Sequence, residues 1–590
     1  MISLFIAIGA LVPVHGQTTR EIIMRAMKDE LARNMERLKL ENLERPFFIS
    51  YTISDARTME VTATLGAVVQ SSENHIRNHN VRVMVGDYSR NDENFRDISG
   101  GFRSTMLGAS ARIPLEDDYD GIRRALWIAT DNVYKRASEQ YERKIAALEQ
   151  QSLSAEEAEL EDFSRAPVVE YTAPPRTFKM NQNEWEEIAK ELSGSFLDYP
   201  DIHSSQVRIY FFQGDLFFMN SEGSKVVQPL TLAAVQVNAA TQAVDGKPVT
   251  NHQLYYAAQP DELPPLNSVK RGVRHMAEEL AALRTAPVFE DSYTGPIMFE
   301  GQAVMEFFAQ RFFSGSGGLL AFRRPTFSDP RISAFMGRSQ GQPLDDNIGR
   351  RIVSRDLTIK ATPRLKNYSG QKLIGSFHVD TEGVQPPDEI VLVENGLLKT
   401  LLNNRTPTPK VKESNGHQRP VMGSSAITTR LGPGVISVST SKGMSESEMK
   451  DELLQLAKDE GLEYGIVVRK LTASVSGAEA RLDPFAFLSM GQGGQQGASL
   501  TKPVLVYKVY VEDGREELVR SVKLGSLSIS SLRRMAGASE KRVVYNTLVS
   551  GGASSSGFLA FMAPTSRKGS PGFVYCAAGL DSERAGSQKG

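Results

Sequence analysis

The stretch that decides the fold runs from Leu373 to Arg405 and reads LIGSFHVDTEGVQPPDEIVLVENGLLKTLLNNR. Within it, Asn395-Gly396 separates two apolar runs at residues 389–394 and 397–402. Asn-Gly between apolar runs is the strongest short signal for a β-hairpin, because both residues tolerate a positive φ. The stretch therefore predicts a tight hairpin. It also predicts an earlier strand that begins at Leu373 and is closed by the turn Asp380-Thr381-Glu382-Gly383.

The same residues resemble a known protein family. DTEGV (380–384), VLVENGLLKTLL (391–402), NNRTP (403–407) and SNGHQRP (414–420) resemble, in that order, the C-terminal domain of the TldD/PmbA (TldD/TldE) family of metallopeptidase-related proteins. NSEG at 220–223 follows an apolar strand and resembles a turn of that family's N-terminal domain. The resemblance covers most of the chain from about Gln17 to Ser550.

Composition sets the class of protein. The chain has 590 residues, of which 40% are hydrophobic and 23% are charged, and its formal net charge is −2. This length and composition allow a globular protein with a sizeable core. The near-neutral charge gives no reason to expect nucleic acid, since that partner requires a basic surface.

The first sixteen residues, MISLFIAIGALVPVHG, form an apolar run that is too short to cross a bilayer but suits the core of a signal peptide. No Lys or Arg precedes the run, which is unusual for a signal peptide. We expect export, to the periplasm or the extracellular space, with the cytoplasm as the alternative, and we expect no stable membrane span. The single cysteine, Cys576, excludes any site with several cysteine ligands.

We predict an α+β fold with two domains. Residues 17–290 read as an N-terminal domain of antiparallel strands with flanking helices. Residues 291–565 read as a mostly-β C-terminal domain that is opened by an apolar helix. Past Ser550 only Phe558–Met562 is expected to form a short strand, and residues 566–590 are expected to be a flexible tail.

Hydrophobic periodicity and capping signals predict the elements. Thr18 and Glu21 form a capping box for a first helix, and further helices are predicted at 117–160, 185–192, 266–285, 301–313 and 446–460. Strands are predicted at 46–54, 61–70, 81–86, 207–212, 216–220 and 464–472, with Gln213-Gly214-Asp215 as a turn and Asp513-Gly514 as the turn of a late hairpin. The polar residues 149–167 are interpreted as a solvated helix end and linker.

Active members of the resembled family carry His-Glu-x-x-x-His on the helix that opens the C-terminal domain, and a later cysteine as a zinc ligand. Alignment through the strand PIMF (296–299) places Ala309, Gln310 and Ser314 on the three functional positions of that motif. Alanine cannot ligate a metal, and glutamine cannot act as a general base. We therefore predict no catalytic residue, and no metal or cofactor in this chain, with zinc held by a TldD-like partner.

Four other residues could still supply metal ligands. His378, Asp380 and Glu382 would alternate along the predicted strand and share one face, and His417 follows on a nearby loop. The alternative interpretation, which we favour, is that the carboxylates shape the turn before Gly383.

Three further patterns allow a functional and a plainer interpretation. His75 and His79 could ligate a metal from a helix, but they read better as a polar loop or strand edge. Gly337-Arg338-Ser339-Gln340-Gly341 matches a nucleophile elbow, but it lacks the strand and helix that an elbow needs. The glycine-rich runs at 314–318 and 491–497 lack the context of a phosphate loop.

The resemblance thus implies a non-catalytic subunit of the TldE kind that binds extended peptides and supports proteolysis by a TldD-like subunit. Its partner would be that TldD-like paralogue, or a second copy of itself as a dimer. One alternative is an active metallopeptidase that uses His378, Asp380, Glu382 and His417. Another is a peptide-binding or assembly protein that takes no part in proteolysis.

Overall fold

A computed structural model gives the fold of the chain. It describes residues 18–41, 43–97, 110–150, 155–290, 292–313, 318–323, 325–328, 344–423, 427–473, 500, 502–525, 529–550, 555–565 and 572–582.

The helices of the described residues are α1 (Thr19–Arg37), α2 (Tyr119–Glu149), α3 (Ala155–Ala158), α4 (Gln182–Gly194), α5 (Leu266–Thr285), α6 (Gln302–Phe313), α7 (Glu446–Asp459) and α8 (Ile529–Leu532). Short 3-10 helices lie at Ser195–Asp198, Pro260–Glu262 and Leu344–Asn347.

The strands up to residue 258 are β1 (Pro46–Thr64), β2 (Ala67–Val85), β3 (Phe95–Arg96), β4 (Ser110–Arg112), β5 (Glu170–Thr172), β6 (Ser204–Asn220), β7 (Lys225–Gln242) and β8 (Pro248–Ala257). The following strands are β9 (Tyr293–Glu300), β10 (Thr326–Phe327), β11 (Leu357–Ala361), β12 (Asn367–Tyr368), β13 (Gln371–Lys372), β14 (Ile390–Glu394), β15 (Leu397–Leu398), β16 (Gln418–Gly423), β17 (Ile427–Leu431) and β18 (Val435–Thr440). The last are β19 (Gly443–Met444), β20 (Tyr464–Leu471), β21 (Pro503–Tyr510), β22 (Glu516–Val519), β23 (Val522–Leu524), β24 (Met535–Ser539), β25 (Lys541–Ser550), β26 (Ser555–Thr565) and β27 (Gly572–Ser582).

The first half of the chain forms one sheet in the order β4-β2-β1-β6-β7-β5, with β8 also paired to β7. Four long antiparallel strands, β1, β2, β6 and β7, make up most of it. One face packs against α1 and α2 in one part and against α4 and α5 in another, around two separate apolar clusters. This is the antiparallel arrangement with flanking helices that the sequence predicts.

The second half forms two larger sheets. One has the order β15-β14-β11-β18-β26-β16-β17, with β25 paired to β26. The other has the order β19-β24-β27-β9-β20-β21-β22, with β23 paired to β27. Helix α6 follows β9 directly. Its residues from Ala303 to Phe313 are all buried, and the apolar ones belong to a large apolar cluster shared with both sheets. Helices and predominantly antiparallel strands together confirm the α+β class.

Several local predictions are confirmed. Thr18 caps α1 with Glu21 in a complete capping box. Asn395 and Gly396 turn β14 into β15 with φ values of 49° and 79°. Asp513-Gly514 lies between the paired strands β21 and β22, and Gly514 has a φ of 69°. These signals act over a few residues, so local sequence is enough to specify them.

Four predictions need correction. The return strand after Gly396 is short, because β15 ends at Leu398. Gln213-Gly214-Asp215 is not a turn, since β6 pairs with β1 in unbroken register through all three residues. Within the predicted solvated linker at 149–167, Asp162 and Phe163 are buried. The strands predicted at 61–70 and 81–86 belong to longer strands, β1 and β2, which meet at Leu65-Gly66.

The strand predicted from Leu373 to Asp380 is also absent among the described residues. The backbone turns there instead, because the Ser376 N–H donates to Leu373 O at 3.2 Å and the Phe377 N–H donates to Pro363 O at 2.8 Å. The end of the chain differs as well. Instead of one short strand at Phe558–Met562 and loose chain beyond, β26 and β27 are eleven residues each, and both pair within the large sheets.

Helices that combine the length and the apolarity needed to span a membrane are not found in the part of the chain that the structure describes.

Candidate functional site

Helix α6 carries Ala309 and Gln310, two of the three residues that the sequence analysis aligns with the family's His-Glu-x-x-x-His motif. Ala309 and Gln310 are buried, at 0% and 5% exposure. The Gln310 side-chain amide donates to Glu306 Oε2 at 2.9 Å and to the carbonyl oxygen of Thr472 at 3.0 Å. Gln310, which the sequence analysis aligns with the family's glutamate, is thus a hydrogen-bond donor that joins α6 to the end of β20. Ser314, the third position, lies outside the described residues.

The four candidate metal ligands have separate uses. His378 is half-buried and lies against the ring of Tyr171, with ring centroids 4.3 Å apart, and burial lowers its pKa. His417 is fully buried, and its Nδ1 lies 2.9 Å from the carbonyl oxygen of Asn415. Both carboxylates bond to protein groups, as described below. No group of three or more His, Cys, Asp or Glu side chains suited to a metal ion occurs among the described residues.

Of the remaining sequence patterns, only His75 and His79 lie wholly among the described residues. His75 and His79 lie on strand β2 rather than on a helix, and His75 Nε2 is 2.7 Å from Asp55 Oδ1. The Gly337–Gly341 pattern and the glycine-rich run at 491–497 lie outside the described residues, as does most of the run at 314–318.

The two turns that resemble the family, at residues 380–383 and 220–223, instead meet at a cleft. The floor of this cleft is the first sheet. Arg82, Ser50 and Asn220 form one row across β2, β1 and β6. Asn80, Thr52 and Phe218 form the next row. The two rows are two residues apart along each strand, so their side chains leave the same face of the sheet.

The roof of the cleft is built around the turn at Asp380. One of its carboxylate oxygens, Oδ1, accepts the backbone N–H groups of Glu382 at 2.9 Å and Val384 at 2.8 Å. The other, Oδ2, accepts the N–H of Gln418 at 3.1 Å. Burial raises the pKa of Asp380, and the nearby charge of Glu382 raises it further. Asp380 thus joins the turn to β16 and holds Thr381 and Glu382 above the sheet.

A fully buried arginine joins the roof to the NSEG turn. Arg405 donates from Nη1 and Nη2 to the two carboxylate oxygens of Glu222, at 2.6 and 2.7 Å, and from Nε to the carbonyl oxygen of Ser164 at 2.8 Å. Its guanidinium carbon lies 3.9 Å from the ring centroid of Phe163. Tyr88 donates its hydroxyl proton to Glu222 at 2.7 Å, and its pKa is raised by burial and by that carboxylate.

Glu382 connects this pair to a second arginine on the floor. Its Oε2 accepts the backbone N–H of Arg405 at 2.9 Å, while its Oε1 accepts from Arg82 Nη1 at 2.6 Å. Arg82 also forms a two-pronged ion pair with Glu93. Burial alone would lower the pKa of Arg82, but Glu93 and Glu382 outweigh burial and raise it. The charges around the cleft are therefore paired with one another.

Between floor and roof lies a cavity of about 280 Å³. Ser50, Thr52 and Asn80 line it from below, and Asn404, Thr406 and Gln418 line it from above. Phe48 and Phe218 supply apolar wall. The lining that is not charged is thus rich in hydroxyl and amide groups.

An open strand edge borders the cleft. Strand β17 pairs with β16 and is the last strand of its sheet among the described residues. Its Thr429 lines the cavity and accepts a hydrogen bond from Gln418 Nε2 at 3.1 Å. A strand edge presents unpaired main-chain N–H and C=O groups, which can pair with another extended chain.

Sequence reasoning found Glu222, Glu382 and Arg405 only as members of family-like motifs, and it missed Arg82 and Glu93 entirely. Arg82 sits in an alternating strand and Glu93 in a polar loop, so neither carries a local signal. Only the pairing of β2 with β1 and the approach of the Asp380 turn bring these residues together.

Comparison with known proteins finds similarity in part of the sequence and in the overall fold. Residues 296–479, which include α6, the Asp380 turn and the hairpin at Asn395-Gly396, match the model of the PmbA/TldA metallopeptidase C-terminal domain. A curated metalloprotease of Methanothermobacter thermautotrophicus is 36% identical over 99 residues. That match covers 16% of this chain and spans only 20% of the length of the relative.

Solved structures with the same fold cover nearly the whole chain. A proposed modulator of a DNA gyrase from Thermotoga maritima has a TM-score of 0.56 at 13% identity, covering 95% of this chain and 100% of that one. TldE from Thermococcus kodakarensis has a TM-score of 0.54 at 12% identity, with coverages of 94% and 100%. A proposed modulator of DNA gyrase from Bacteroides thetaiotaomicron has a TM-score of 0.56 at 10% identity, with coverages of 95% and 98%. Identities this low show a shared fold alone.

Proposed function

The chain belongs to the TldD/PmbA family of metallopeptidase-related proteins, and from this premise we propose that it is a non-catalytic subunit of the TldE kind. Such a subunit binds extended peptides and supports their cleavage by a TldD-like partner that holds zinc. TldE from Thermococcus kodakarensis has the same fold, so this fold is one that a TldE protein adopts.

One observation carries the proposal. The position aligned with the family's general base is Gln310, whose amide nitrogen donates to both Glu306 and the backbone of Thr472. A general base must accept a proton, and a carboxamide has no lone pair basic enough to do so. Gln310 instead joins α6 to the end of β20 by a hydrogen bond. This is a structural role, and it is the one expected in a non-catalytic subunit.

Peptide binding is supported by the edge of β17. An extended peptide that adds to a strand edge gains main-chain hydrogen bonds whatever its side chains are. Such binding suits a subunit that presents many different peptides to a partner. The edge lies beside the cleft, so a peptide paired with β17 would pass the cavity mouth.

The test is reconstitution with a paralogue that carries His-Glu-x-x-x-His. The two chains are co-expressed, separated by size-exclusion chromatography, and assayed for cleavage of an unfolded peptide. We expect this chain alone to be inactive and the complex to cleave faster than the paralogue alone. A paralogue with its motif glutamate changed to glutamine is the matched control, and the complex with it should be inactive.

Two outcomes would oppose the proposal. A chain that stays monomeric and leaves the paralogue's activity unchanged would favour a peptide-binding protein outside proteolysis. Cleavage by this chain alone, with bound zinc that is lost on His417→Ala or His378→Ala, would favour the active metallopeptidase.

A further inference from the structure

We propose that the cleft between β1–β2 and the Asp380 turn is a side-chain pocket for a neutral, amide-bearing residue, glutamine or asparagine, of a peptide paired along β17. This inference rests on the proposed function and adds to it the class of side chain that is selected.

The first step is the charge balance of the cleft. Arg82 lies between Glu93 and Glu382, and Arg405 is engaged by Glu222. Breaking one of these pairs, which are partly or fully shielded from water, to bind a charged ligand would leave the other partner uncompensated. A charged side chain therefore gains little in this cleft, whereas a neutral polar one leaves every pair intact.

The second step is the hydrogen-bonding capacity that remains. Four side chains that line the cavity form no hydrogen bond with any part of the chain that the structure describes: Ser50, Thr52, Asn80 and Thr406. Hydroxyl and carboxamide groups both donate and accept. A carboxamide ligand also has two N–H donors and one oxygen acceptor, so it matches this set, whereas an apolar side chain would leave the set unpaired.

The third step is access. Thr429 belongs both to the open edge of β17 and to the lining of the cavity. Successive side chains of a strand point to opposite faces, so a peptide paired with β17 directs alternate side chains toward one side of the sheet. A cavity of about 280 Å³ accommodates one such side chain together with ordered water.

The experiment measures binding of fluorescein-labelled, blocked decapeptides to the purified full-length chain by fluorescence polarisation. The peptides share an alanine-serine background and carry Gln, Glu, Lys or Leu at one central position. We expect the Gln peptide to bind at least about tenfold tighter than the Leu, Glu and Lys peptides, because a site built for an amide rejects analogues that leave its polar groups unpaired.

Matched variants locate the binding. Thr52→Val removes a hydroxyl from the cleft without changing shape, and Asn80→Leu removes the neighbouring carboxamide. Each variant should bind the Gln peptide roughly fivefold more weakly, which is the loss expected for one hydrogen bond. Each should also discriminate less between the Gln and Leu peptides. Thr62→Val is the control, because Thr62 lies on the same strand and face as Thr52 but ten residues away and outside the cleft.

Three results would overturn the proposal: no measurable binding of the Gln peptide, equal affinity for the Gln and Leu peptides, or tighter binding of the Glu or Lys peptide. Unchanged binding in both Thr52→Val and Asn80→Leu would place the peptide elsewhere. Because the assay uses this chain alone, its failure is distinct from that of the proposed function, which is judged by the partner's cleavage rate.

Discussion

Arg405 and Glu222, which are 183 residues apart in sequence, form a two-pronged ion pair with N–O distances of 2.6 and 2.7 Å. Arg405 is fully buried, and the side chain of Glu222 is 16% exposed. The pair links the NSEG turn of the first sheet to the loop that follows the Asn-Gly hairpin. Two of the motifs that resemble the family are therefore in direct contact.

Glu222→Gln should destabilise the protein by about 3 kcal/mol, because it leaves the buried Arg405 guanidinium without a counter-charge. The free energy of unfolding is measured by denaturant titration. Glu170→Gln is the control, since its ion pair with Lys225 has the same 2.7 Å length but both side chains are exposed. It should leave the unfolding transition unchanged, and an equal loss in both variants would contradict the role assigned to Arg405.

Gly396→Ala should be more destabilising than Gly514→Ala, although both glycines have a positive φ in a hairpin turn. A Cβ on Gly396 would lie 2.6 Å from Ser354 O, whereas a Cβ on Gly514 would have nothing within 4 Å. Strain at φ alone costs about 1–3 kcal/mol, and the contact with the backbone adds to it at Gly396 only. Equal melting temperatures of the two variants would show that the hairpin tolerates a shift of the Ser354 backbone.

Gln310→Glu should destabilise the protein more at pH 8 than at pH 5. At pH 8 it places a second carboxylate beside Glu306 and removes the donor to the Thr472 carbonyl, which costs about 2 kcal/mol or more. Protonation at pH 5 relieves the repulsion. Gln310→Met is the control, because it removes the amide without adding charge, so its destabilisation relative to wild type should be the same at both pH values. A Gln310→Glu variant without pH dependence would show that this helix face is hydrated.

Two buried histidines, which stay neutral in the folded chain, should each contribute a loss of stability as the pH drops from 7 to 5.5. Burial lowers the pKa of His252 to about 3, with a further contribution from Lys470, and burial lowers the pKa of His417 to about 3. A depressed folded-state pKa gives stability that is present above the unfolded pKa and is lost as pH falls below it. The expected loss is about 1 kcal/mol for each histidine over this interval.

His252→Gln isolates one of these contributions. Thermal unfolding of the variant should lose less stability than wild type between pH 7 and pH 5.5, by about 1 kcal/mol. His275→Gln is the control, because the side chain of His275 is 72% exposed. Identical pH profiles for wild type and His252→Gln would mean that His252 is accessible to solvent protons in the folded chain.

Signals that act within a few residues determined much of the fold. The capping box at Thr18, the turn at Asn395-Gly396 and the turn at Asp513-Gly514 each depend on one turn of backbone, and the structure contains all three. The α+β class was likewise predicted from such short-range signals. The strand predicted at Leu373–Asp380 shows the limit of such local signals. This segment contains residues that favour strands, but its backbone turns, because the Phe377 N–H donates to the carbonyl oxygen of Pro363.

The sequence by itself determined the first helix and the hairpins at Asn395-Gly396 and Asp513-Gly514, because each depends on neighbouring residues. Only the tertiary structure decided what the motifs do together. Arg82, Glu222 and the stretch that holds Glu382 and Arg405 are three segments far apart in sequence. Their contacts follow from strand register and from the approach of the Asp380 turn to the first sheet. Ion pairing selects partners by distance in space, and distance in space is set by packing rather than by order along the chain.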